Sequence, residues 1–68
     1  MDTTILYTET SNGIVVLYNS NEDSAKKMLD IINKSFKNLS VTKLTLDKDK
    51  YTKCKYDSEK LKELIKSV

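Results

Sequence analysis

Gly13 is the only glycine in a 68-residue chain that contains no proline. It follows Asn12 and separates two runs of strand-forming residues, TILYTET and GIVVLYN. Asn-Gly between such runs is the strongest short signal for a β-hairpin, because both central positions of a type I′ turn need positive φ. A two-residue loop at Asn12-Gly13 pairs Ser11 with Ile14, Glu9 with Val16 and Tyr7 with Tyr18. One face then carries Ile5, Tyr7, Glu9, Ile14, Val16 and Tyr18. The other carries Leu6, Thr8, Thr10, Val15 and Leu17. The second run is apolar on both faces, which places it centrally in a sheet.

The segment NSNEDSAKKMLDIINKSFKN reads as a helix. Asn21 or Ser20 can cap its first N–H groups, and Glu22 and Asp23 sit where the helix dipole favours anions. Lys34 and Lys37 sit where it favours cations, and Asn38 is a candidate stop. Ala25, Met28, Leu29, Ile32 and Phe36 recur at helical spacing. LSVTKLTLD reads as a third strand and KYTKCKY as a fourth, with DKDK as the turn between them. Asp57 or Ser58 caps a last helix with Leu61, Leu64, Ile65 and Val68 on one side.

The expected fold is therefore α+β, in the order β-β-α-β-β-α, over a single domain spanning residues 1–68. Each helix has one apolar stripe to bury. The simplest arrangement is a two-layer sandwich, a four-stranded sheet with both helices on one face. Two strand orders satisfy it. One is 1-2-3-4 with a right-handed crossover; the other is 1-2-4-3, a circularly permuted ferredoxin-like sheet. The lysines of the fourth strand suit an edge and favour the first.

Composition restricts the chemistry. The chain has no histidine and one cysteine, Cys54. It therefore lacks the ordinary general base near neutral pH, a Ser–His or Cys–His pair and an imidazole metal ligand. One cysteine makes neither a zinc site nor an internal disulfide. Thiol-redox chemistry at the start of the first helix is excluded too, since Ser20, Asn21 and Ser24 stand there without a cysteine. A phosphate loop needs several glycines, and this one is committed to a turn. DKDKYTKCKYDS begins like a calcium loop. It has Thr52 where that loop needs glycine and Ser58 where it needs a bidentate glutamate. The expectation is a chain with no enzymatic activity, no cofactor and no metal.

All twelve basic residues are lysine. The absence of arginine argues against strong phosphate or guanine recognition. The formal net charge of +2 is unevenly spread. Residues 1–25 carry Asp2, Glu9, Glu22 and Asp23 with no lysine. Residues 26–68 carry every lysine against Asp30, Asp47, Asp49, Asp57, Glu59 and Glu63. A surface polarised in this way can steer a partner.

This pattern points to a small non-enzymatic binding protein that acts through an acidic surface of Glu9, Glu22 and Asp23. The lysine-only basic set and the short length suit a phage or mobile-element product. The concrete expectation is an inhibitor of a host defence nuclease, of the anti-CRISPR or anti-restriction type. A second reading is a weak single-stranded nucleic-acid binder. Tyr51, Lys53 and Lys55 share one face of the expected fourth strand, and Tyr7 and Tyr18 join them if that face is open. A third is a subunit, monomeric or dimeric, that self-associates through exposed strand edges. The opening MDTTILYTET lacks the basic start and long apolar run of a signal peptide, and no run approaches a membrane span, so the expected location is cytoplasmic.

Overall fold

The computed structural model describes residues 1–68. Three strands and three helices follow in the order β-β-α-β-α-α. They are β1 (Asp2–Thr10), β2 (Gly13–Ser20), α1 (Glu22–Ser35), β3 (Thr42–Asp47), α2 (Lys48–Cys54) and α3 (Ser58–Lys66). The sheet is three-stranded and antiparallel, in the order β2-β1-β3. The expected four-stranded sheet with two helices on one face is therefore wrong, and so are both expected strand orders.

The missing strand is the segment Tyr51–Tyr56. Its alternating lysines suggest a strand, but the chain turns helical as soon as β3 ends. Asp47 is both the last residue of β3 and the N-cap of α2, where its carboxylate accepts from the Asp49 N–H at 2.9 Å. Tyr51 and Cys54 are three residues apart, so a helix turns both inward. Each is 6% exposed, in a core with Ile5, Leu46 and Leu61. A strand would have sent these two side chains to opposite faces.

β1, not β2, is the central strand. Four consecutive residues, Thr3, Thr4, Ile5 and Leu6, are buried. Their threonines make β1 look less apolar than β2 in sequence, yet both hydroxyls are satisfied. Thr4 Oγ1 lies 2.9 Å from Thr45 Oγ1 on β3, and Thr3 Oγ1 donates to Asn19 Oδ1 on β2. No buried side-chain polar atom lacks a partner.

The hairpin forms with its loop one residue earlier than expected. Ser11 and Asn12 make the turn, and Thr10 pairs with Gly13. Gly13 has φ +123 and is the only residue with positive φ. The Thr10 hydroxyl braces the loop, accepting from the Asn12 N–H at 3.2 Å and donating to the Gly13 carbonyl at 3.0 Å. Glu9 pairs with Ile14 and Tyr7 with Val16, so these four share a face as anticipated. A bulge then adds Leu17 to β2. Leu6 therefore pairs with Tyr18, which moves to the face opposite Tyr7.

Ile5 and Leu6 are adjacent on a regular stretch of the β1–β3 ladder, and both are fully buried. Successive strand residues point to opposite faces, so both faces of the sheet are covered. α2 and α3 cover the Ile5 face, where Tyr7, Ile14, Val16, Leu44, Leu64 and Ile65 pack around the core. α1 touches all three strands and covers the Leu6 face. The result has three layers rather than two. α1 starts at its Asn21 cap, whose side chain accepts from the Ser24 N–H at 2.8 Å, and ends at Ser35, before Asn38. Of its stripe, Ala25 is fully buried and Met28, Leu29 and Ile32 are half-buried, while Phe36 lies past the helix end and is exposed. α3 is capped by Asp57, which accepts from the Glu59 and Lys60 N–H groups.

Candidate functional site

β2 and β3 both run antiparallel to β1, so their C-terminal ends lie beside its N-terminal end. α1 starts directly after β2, and α2 directly after β3. This topology gathers carboxylates at one end of the sheet. Glu22 and Asp23 occupy the first turn of α1, Asp47 caps α2, and Asp49 lies in its first turn. Asp2 stands directly opposite Asp47 in the β1–β3 register. Each of the four helix-start residues lies where the helix dipole stabilises an anion.

Two lysines partly balance this end. Lys43 Nζ lies 3.3 Å from Glu22 Oε1, with the lysine side chain 30% exposed and the glutamate 67% exposed. The Lys48 N–H donates to the Met1 carbonyl at 2.9 Å, which extends the β3 side beyond its last ladder pair. Asp2, Asn21 and Lys48 face a shallow depression together with Met1, Thr3, Asn19 and Ser20. Five carboxylates therefore share a sheet end with two lysine side chains, held on backbone fixed by the ladder and two helix caps.

Of the anticipated acidic residues, Glu22 and Asp23 are together at this end. Glu9 is at the other end of β1, beside the hairpin loop, where it pairs with Lys62 of α3 at 3.7 Å. Sequence reasoning missed Asp2, Asp47 and Asp49 as companions of Glu22 and Asp23. Asp2 and Asp47 are 45 residues apart, and only the β1–β3 pairing brings them together.

The aromatic and basic residues are not brought to one face. Tyr51 is in the core, Lys53 is on the exposed side of α2, and Lys55 ends that helix. Lys55 Nζ sits 5.1 Å from the ring centre of Tyr56, which is 92% exposed and was not among the anticipated residues. Tyr7 packs against the core and Tyr18 lies half-buried on the α1 face.

Burial pushes the Tyr51 hydroxyl pKa upward, with smaller contributions from Cys54 and Tyr56. Burial also pushes the Cys54 thiol up, reinforced by the Asp57 carboxylate and partly offset by a backbone hydrogen bond and Lys60. The thiol donates to the Lys50 carbonyl at 3.2 Å. A buried thiol held neutral is a packing residue and a poor nucleophile. No three histidine, cysteine or acidic side chains converge in a metal-binding arrangement. No helix is long and apolar enough to cross a membrane.

In comparisons with known proteins, no family model, curated protein or solved structure matches this chain.

Proposed function

We propose that the chain is a small non-enzymatic binding protein whose acidic sheet end occupies a basic, nucleic-acid-binding groove on a protein partner. Its concrete form is an inhibitor of a host defence nuclease, of the anti-CRISPR or anti-restriction type. The observation that supports this reading is the grouping of Asp2, Glu22, Asp23, Asp47 and Asp49 at the end where β1 begins and α1 and α2 start. Carboxylates held on a rigid frame can meet the lysines and arginines that would otherwise bind phosphates. Such contacts raise association rates and weaken with salt. Glu9, at the far end and paired with Lys62, is outside this surface.

The test uses an immobilised wild-type chain and the triple variant Asp2→Asn, Glu22→Gln, Asp23→Asn. Asp47 is left intact because it caps α2. Bacterial lysate is passed over both, and a protein captured by the wild type is then purified and titrated. The expected result is a partner with nuclease activity whose affinity falls with added salt and drops at least tenfold in the variant. Equal affinity for both chains would reject the acidic end as the contact surface.

A further inference from the structure

We propose that β2 is a self-association edge. Two copies align their β2 strands antiparallel about a two-fold axis and join their sheets into one of six strands. The two edges of the sheet are built differently. β3 carries Lys43 and Asp47 and runs directly into α2. Charged side chains and a short length are the usual means of protecting an edge from pairing. β2 has neither protection. Its residues, GIVVLYNS, include no charge and no proline, and its outer N–H and C=O groups have no strand beside them. Val15 is 44% exposed and Leu17 is 39% exposed, so apolar surface accompanies the open edge.

The missing charge selects the occupant. In a two-fold antiparallel pair, each residue faces its own counterpart or a near neighbour of it. Any charge in β2 would therefore meet its like, which destabilises a cross-strand pair. A foreign strand chosen by electrostatics would need charges to read, and β2 offers none. The second copy supplies a strand of equal length and polarity. Size points the same way, since chains below roughly 70–80 residues commonly gain stability by oligomerising. The bulge at Leu17 bends the strand, so regular pairing is confined to its hairpin side, and the contact is a small one. This inference is independent of the acidic sheet end.

The test is sedimentation equilibrium of the full chain from about 1 µM to about 1 mM, the span of weak to moderate dissociation constants. The expected mass rises from 7.8 kDa toward twice that value. Val15→Lys places like charges across the edge and is expected to hold the monomer mass throughout, with an unchanged circular dichroism spectrum. If that variant fails to fold, Leu17→Lys serves the same purpose from the other exposed position. A wild-type chain that stays monomeric to the top of the range overturns the proposal. So does a dimer that survives either lysine substitution in a folded chain.

Discussion

Tyr51 and Cys54 stand one helical turn apart in α2, and both enter the core beside Ile5 and Leu46. Burial raises the pKa of each, so both stay neutral in the fold at a pH where an exposed copy has begun to ionise. In the unfolded chain the thiol titrates near 8.5 and the phenol near 10. Between those values and the raised ones, the folded state holds more protons than the unfolded state. Stability must then fall as pH rises, and must be unaffected below the unfolded values. Melting temperature followed by circular dichroism should be level from about pH 7 to 8 and should decline above about pH 8.5. In Cys54→Ala the decline should start nearer pH 10, where Tyr51 alone contributes. A melting temperature that holds steady through this range would contradict the buried, neutral pair.

Ile5 and Leu6 give a direct test of the three layers. A sheet covered on one face would tolerate loss of one of these side chains and not the other. Here both are fully buried, on opposite faces. Ile5→Ala and Leu6→Ala should each cost about 2–5 kcal/mol. A chain of this size has roughly 3–5 kcal/mol of net stability, so both variants should lose most of their cooperative unfolding transition in urea. Ile31→Ala, at a position 56% exposed on α1, should change stability by no more than about 0.5 kcal/mol. A near-neutral Leu6→Ala would mean that α1 does not cover its face.

Much of this fold can be read along the chain, and the failures have physical causes. The hairpin, α1 with its Asn21 cap and α3 with its Asp57 cap each declare themselves within a few residues. The segment Tyr51–Tyr56 carries two periodicities at once. Its lysines alternate with period two, while Tyr51 and Cys54 fit a helix. Asp47 as a cap, with helix-tolerant lysines after it, was the deciding local signal. The position of β1 depended on Thr3 and Thr4, whose hydroxyls are satisfied by Asn19 and Thr45 from distant parts of the chain. Periodicity alone cannot show that a threonine is buried. The acidic end was half legible. Glu22 and Asp23 are neighbours in sequence, but Asp2 and Asp47 meet only through strand pairing.

The Thr4–Thr45 contact should behave asymmetrically. Thr4 is 2% exposed, whereas Thr45 is open to solvent. Thr45→Val strands a buried hydroxyl and should cost about 1–3 kcal/mol. Thr4→Val leaves the partner hydroxyl to water and should cost less. The double variant should be more stable than the sum of the singles, since it removes both hydroxyls together. Urea unfolding of the four chains closes the cycle. Additive losses would show that the 2.9 Å contact contributes no coupling.

The turn makes the sharpest distinction between the anticipated hairpin and the one that forms. A type I′ loop at Asn12-Gly13 would put both residues at positive φ. In this hairpin only Gly13 is there, at +123, and no other residue has positive φ. Asn12→Ala should therefore be tolerated to within about 0.5 kcal/mol. Gly13→Ala should cost more than about 1 kcal/mol, because an L-residue is strained at that φ. Space is not the obstacle, since a Cβ at Gly13 would meet the Ser58 Cβ at 3.5 Å, an ordinary contact. Adding Ser58→Gly should then fail to rescue Gly13→Ala, with a coupling inside roughly 0.5 kcal/mol. Chemical synthesis with D-alanine at position 13, whose preferred φ is positive, should restore most of the loss. Equal penalties at positions 12 and 13 would return the loop to the type I′ form and shift the β1–β2 register by one residue.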